Sequence, residues 1–157
     1  HLWRNALETA QHVQEIAASL ELTVGFENVE NLFLLSPREW CEFIDRLASP
    51  HAQIYFDPGN VCYLNLGQPG AWIRDLGPRI CRIHLKDCKV RAEGVSRSTE
   101  IVPLLEGTVD WGDVVAALHE IGYDSWLSVE LPLPQTNRDV FLQQSRERLE
   151  CIWARTA

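Results

Sequence analysis

Four times along this chain a short, mostly apolar run stops at a side chain that can bind a metal or move a proton, and a helical pattern follows. The runs are Leu22–Phe26, Gln53–Phe56, the stretch Arg79–Leu85 and Trp126–Val129, and they end at Glu27, Asp57, His84 and Glu130. Regular alternation of strand and helix implies parallel strands joined by right-handed crossovers. In such a sheet the C-terminal strand ends lie side by side, and α/β proteins place their ligands there. The third run is the most informative. Arg79-Ile80-Cys81-Arg82-Ile83-His84-Leu85-Lys86-Asp87 does not alternate cleanly, which suits an inner, covered strand. It nevertheless ends in an imidazole, an ammonium and a carboxylate, more polarity than packing requires.

The intervening segments carry helix punctuation. The repeat of Leu7, Ala10, Val13, Ile16, Ala17 and Leu20 predicts a first helix over about Ala6–Leu20, with His12 on its surface. Ser36-Pro37-Arg38-Glu39 predicts a helix start, with serine as N-cap, proline at the first position and glutamate at the third. Trp40, Phe43, Ile44 and Leu47 then share one face. The second strand ends in Asp57-Pro58-Gly59-Asn60, where Asp57 before Pro-Gly is, taken alone, first of all a turn residue. A short helix is expected from Trp72 to Leu76, stopped by Gly77-Pro78. Asp110 caps a helix from Trp111 to about Ile121, and Gly122 ends it. An amphipathic helix over about Asn137–Ala154 closes the chain. Between them, Cys88–Thr108 is polar and aperiodic and reads as a long loop of functional interest.

The 157 residues suffice for one domain spanning 1–157, with a real core. A net charge of −8 disfavours nucleic acid and anionic membrane as main partners. No apolar run is long enough to span a bilayer, and the opening residues do not read as a signal peptide. The five cysteines form no CxxC pair and read as reduced packing thiols of a cytoplasmic protein. Methionine is absent, even at position 1, so His1 reads as something other than a translation start.

Each of the four strand-end residues has a plain alternative when taken singly. Glu27 could be solvated, Asp57 a turn residue, His84 a core histidine and Glu130 a helix-dipole partner. Glu30, Lys86, Asp87 and Glu106 compete for the same roles. Four at successive strand ends point instead to a shared site. Three carboxylates and one imidazole suit one hard or borderline divalent ion: manganese, magnesium or cobalt, with zinc possible.

The ordered motifs Gly25-Phe26-Glu27-Asn28-Val29, Tyr55-Phe56-Asp57-Pro58-Gly59-Asn60, Ile83-His84-Leu85-Lys86-Asp87 and Glu106-Gly107-Thr108-Val109-Asp110-Trp111 resemble those of xylose-isomerase-like TIM-barrel proteins. The resemblance continues through Ile121-Gly122-Tyr123-Asp124 to Val129-Glu130, and is nearest the sugar phosphate isomerase/epimerase branch. It implies an α/β fold of the (β/α) TIM-barrel type, with four parallel strand–helix units corresponding to the second half of a (β/α)8 barrel. It also implies that Glu27, Asp57, His84 and Glu130 bind one divalent metal, and that Glu27 and Glu130 are the catalytic acid–base pair. Proton transfer between these carboxylates and a sugar or sugar phosphate would pass through an enediolate. Asn60 and Lys86 are the expected substrate-binding residues, with pairing to a carboxylate as the alternative for Lys86.

Two departures qualify the resemblance. Asn60 stands where family members often carry a histidine. A full barrel also takes roughly 250 residues and eight strands. The chain is therefore expected to be the C-terminal half of a barrel, completed by an N-terminal half or by a second copy in a homodimer. A polyol dehydratase of the same superfamily, or a non-catalytic half-barrel, is the alternative. A zinc AP-endonuclease is disfavoured, because Asn60 and the histidine-free 88–108 segment leave too few histidines for its metal sites.

Overall fold

The computed structural model describes residues 1–93 and 96–154. Helix α1 (Leu2–Ser19) leads into strand β1 (Val24–Glu27), helix α2 (Pro37–Leu47) and strand β2 (Ala52–Phe56). Helices α3 (Pro58–Leu64) and α4 (Pro69–Leu76) follow, then strand β3 (Ile80–Leu85). A hairpin of β4 (Asp87–Glu93) and β5 (Ser96–Val102) precedes helix α5 (Trp111–Glu120), strand β6 (Leu127–Val129) and helix α6 (Arg138–Ala154). The sheet order is β1-β2-β3-β6, every pair parallel. This is the TIM-barrel-like α/β arrangement expected, with β1 and β6 at the two edges.

Register divides the sheet into two faces. Glu27 pairs with Tyr55, Tyr55 with Arg82, and His84 with Ser128, so these residues share a face. The opposite face carries Ile54, Phe56, Ile83 and Leu85, all at most 2% exposed and packed against the helices. Burial of side chains of this size stabilises by about 1.5–3 kcal/mol each. Beneath β1, Phe43 of α2 meets Trp3, Phe26 and Phe33 edge to face, with ring centroids 5.6–6.2 Å apart. That aromatic cluster seats the strand that ends in Glu27.

The helix punctuation works as expected at several points. Ser36 Oγ accepts the Glu39 N–H, Pro37 opens α2, and Trp40, Phe43, Ile44 and Leu47 are buried. Asp110 accepts the Asp113 N–H at the start of α5, and Gly122, at φ 67°, ends that segment. His12 is exposed, and no cysteine is in a disulfide.

Three expectations need correction. The 88–108 segment is largely a β-hairpin, not a loop; Cys88 faces Ile101 and Val90 faces Thr99 across it. Its alternation is masked because polar residues occupy most positions on both strands. Asp57-Pro58-Gly59-Asn60 is not a turn but the opening of α3, with Asp57 as N-cap and Pro58 at the first position. Helix α6 is not cleanly amphipathic: Ser145 and Ile152 are its buried residues, while Val140 and Leu142 are exposed. Among the described residues no helix is long and apolar enough to cross a membrane.

Candidate metal centre

Glu27 is the last residue of β1, Asp57 follows β2, His84 is the penultimate residue of β3, and Glu130 follows β6. Because the strands are parallel, these four reach one end of the sheet. One ligand atom from each lies within 4.8 Å of the others.

Asp57 is fully buried, and its two oxygens are used differently. Oδ1 accepts the backbone N–H groups of Gly59 at 2.7 Å and Asn60 at 3.2 Å, which is the N-cap of α3. Oδ2 has no hydrogen bond. The Lys86 ammonium lies 3.2 Å from it, close enough for an ion contact but without hydrogen-bond alignment. Burial pushes the Asp57 carboxyl up to about 6, against the pull of Lys86 and the two N–H donors. A dry carboxylate oxygen without a hydrogen bond, facing two glutamates and an imidazole, fits a divalent cation. The residues that would hold such an ion are Glu27, Asp57, His84 and Glu130.

His84 Nδ1 is 2.9 Å from Glu27 Oε1 and 3.8 Å from Glu130 Oε2. The Tyr55 ring lies against its imidazole, with centroids 3.9 Å apart. The ring is thereby fixed with one nitrogen turned into the cluster.

Lys86 Nζ sits 2.6 Å from Glu130 Oε2 and 3.3 Å from Asn60 Oδ1. Burial works against its charge, but the bond to Glu130 and the carboxylates around it carry its pKa up. The Lys86 bond conversely holds the Glu130 carboxyl below the usual range. Asn60 is 2% exposed, and both ends of its amide are engaged: Nδ2 donates to the Asn28 carbonyl at 2.8 Å while Oδ1 accepts from Lys86. Gly59 is needed at this junction, since an added Cβ would stand 2.8 Å from the Lys86 carbonyl carbon.

Of the competing candidates Lys86 lies in the cluster, and the other three lie elsewhere. Asp87 is buried and accepts N–H bonds from Cys88, Leu105, Gly107, Val109 and the Trp111 indole, so it anchors the segment leading into α5. Glu106 pairs with Arg148, and Glu30 is exposed. Sequence reasoning gave no role to Asn28 or Tyr55. Asn28 is 8% exposed, and its amide bonds both the N–H and the C=O of Asp57. Its position directly after Glu27, in a segment otherwise turning polar and exposed, was the available signal.

Away from the carboxylates, a cavity of about 530 Å³ opens on the inner face of the sheet, lined in part by Gly25, Gln53, Tyr55, Arg82, Tyr123 and Ser125. It lies toward the N-terminal strand ends.

Residues 1–151 match the family described as xylose isomerase-like TIM barrel. The chain belongs to that family. It is 30% identical over 145 residues to an inosose dehydratase from Erwinia tasmaniensis, covering 82% of this chain and 47% of that one. It is 28% identical over 124 residues to a putative L-ribulose-5-phosphate 3-epimerase from Escherichia coli, covering 74% of this chain and 41% of that protein. A xylose isomerase-like TIM barrel protein from Mycobacterium smegmatis, solved in complex with magnesium, shares the fold with a TM-score of 0.76 at 19% identity. That superposition covers 99% of this chain and 52% of the other. The chain thus spans less than half the length of the two curated relatives named here.

Proposed function

We propose that this chain carries the metal-binding and proton-transferring part of a sugar or sugar phosphate isomerase or epimerase that depends on one divalent ion. The observation that carries this reading is the convergence of Glu27, Asp57, His84 and Glu130 within 4.8 Å around a buried Asp57 oxygen that has no hydrogen bond. Manganese, magnesium and cobalt suit this donor set, and zinc also fits. A bound divalent ion supplies Lewis-acid polarisation of a substrate carbonyl and its neighbouring hydroxyl.

Glu27 and Glu130 stand at the ends of the two edge strands, so a substrate lying across the strand ends meets a carboxylate on either side. One carboxylate takes the proton from the carbon beside the carbonyl, leaving an enediolate. The other returns a proton to the opposite face and gives an epimer. Return to the neighbouring carbon gives the isomer. Lys86 holds Glu130 from within the cluster, and Asn60 acts through it, as its buried amide is already bonded. The open inner face and the edges β1 and β6 are closed, in this reading, by an N-terminal half or by a second copy of the chain.

The relationship to an inosose dehydratase supports a second reading. The same carboxylate would take the proton, and a hydroxyl on the adjacent carbon would then leave as water, protonated by the opposite glutamate. Solvent deuterium exchange tests both readings on ketoses, ketose phosphates and inososes. With Mn²⁺ and the barrel closed by its other half or a second copy, the wild-type protein incorporates deuterium at substrate carbon, and Glu27→Gln and Glu130→Gln lose it. Water loss from an inosose without epimer formation selects the dehydratase. Exchange that persists in both variants defeats the proton-transfer assignment.

A further inference from the structure

We propose that Lys86 is a resident counter-cation of the cluster, which a divalent ion must displace from Asp57 and Glu130 in order to bind. The inference rests on the metal-site reading above and concerns the state that precedes metal entry. The Lys86 side chain is 12% exposed, and its ammonium lies among three oxygens: Glu130 Oε2 at 2.6 Å, Asn60 Oδ1 at 3.3 Å, and Asp57 Oδ2, an ion contact at 3.2 Å. Two of these three oxygens belong to the residues that would hold the metal.

The surroundings hold the lysine in this place. Its main chain is packed against the first turn of α3, where only a glycine at position 59 leaves room. Asn60 on the same turn has its Nδ2 fixed to the Asn28 carbonyl, so its oxygen faces the ammonium. The residue that departs from the family pattern at position 60 is thereby the third partner of Lys86.

Competition follows from how Asp57 is used. Its Oδ1 is occupied by the Gly59 and Asn60 N–H groups, which leaves Oδ2 for an ion. That is the oxygen beside Lys86. Two cations on one buried oxygen repel strongly at low effective dielectric. Metal entry is therefore an exchange of one cation for another. Asp57, which is 0% exposed, keeps a compensating charge throughout. Lys86 is a positioning residue in this scheme, since it acts on the ligands and not on the reacting atoms.

The test uses the intact protein, with free Mn²⁺ read by paramagnetic resonance at a pH above the carboxylate range. Lys86→Met keeps the aliphatic stem and removes the charge. It should bind Mn²⁺ on the order of tenfold tighter than wild type or more. Its metal-free melting temperature should fall below wild type, and the gap should close at saturating Mn²⁺. Lys86→Arg keeps the charge and should bind no tighter than wild type. If Lys86→Met does not fold without metal, Lys86→Gln, which preserves a polar contact with Asn60, is read in the same way. Wild-type binding with equal or weaker affinity in the neutral variants overturns the displacement and leaves the metal site standing. Absence of binding in wild type and neutral variants alike overturns both.

Discussion

The Asn28 side chain bonds both main-chain polar groups of Asp57. Its Oδ1 accepts the Asp57 N–H at 2.7 Å, and its Nδ2 donates to the Asp57 carbonyl at 2.8 Å. The bond pair ties the end of β1 to the end of β2 and sets the angle at which Asp57 enters the cluster. Asn28→Ala leaves two buried backbone groups unpaired and should cost roughly 2–4 kcal/mol of stability. Metal affinity should drop by about 10- to 100-fold, as for other groups that orient a ligand. Denaturant unfolding with a parallel Mn²⁺ titration checks both. Asn28→Asp should not rescue, because its carboxylate cannot donate to the Asp57 carbonyl.

Asp57 predicts a pH dependence of stability in the metal-free protein. Its folded pKa is about 6, raised by burial from a reference value of 3.8. The folded state therefore holds the proton more tightly than the unfolded state. This group's contribution is fully present below the unfolded pKa and is lost as pH rises through about 6, to the extent of about 3 kcal/mol. Asp57→Asn keeps the α3 cap through its amide oxygen and should remove this component. The difference between the two unfolding curves across that window is the measurement. A flat difference contradicts the assignment.

Asp87 predicts a purely architectural defect. Four backbone N–H groups and the Trp111 indole N–H converge on its buried carboxylate. Asp87→Ala strands these donors and should lower stability by roughly 3–5 kcal/mol. Hydrogen exchange at Leu105, Gly107 and Val109 should accelerate relative to the core of β2 and β3. Unchanged protection at those amides would show that another interaction anchors the segment.

The sequence made legible what depends on local chemistry. Ser36-Pro37, Asp110 and Gly122 punctuate helices through their own backbone and side-chain bonds, so the alternation of elements could be read directly. The strand-end positions of Glu27, Asp57, His84 and Glu130 followed from that alternation. What stayed hidden depends on tertiary partners. The 88–108 hairpin carries little apolar alternation for a pattern to register. Asn28 and Asn60 are ordinary polar residues in the chain, and their burial comes from the meeting of β1, β2 and α3. Lys86 and Asp87 are neighbours in sequence, yet one faces the cluster and the other anchors the segment before α5.

One divalent ion held by Glu27, Asp57, His84 and Glu130 can be located by anomalous diffraction at the manganese edge from crystals of the intact protein grown with Mn²⁺. A single strong peak is expected about 2.1–2.4 Å from one atom of each of the four side chains, with Lys86 moved off Asp57 Oδ2. Saturating Mn²⁺ with no peak among these residues, or a peak only elsewhere, would contradict this site.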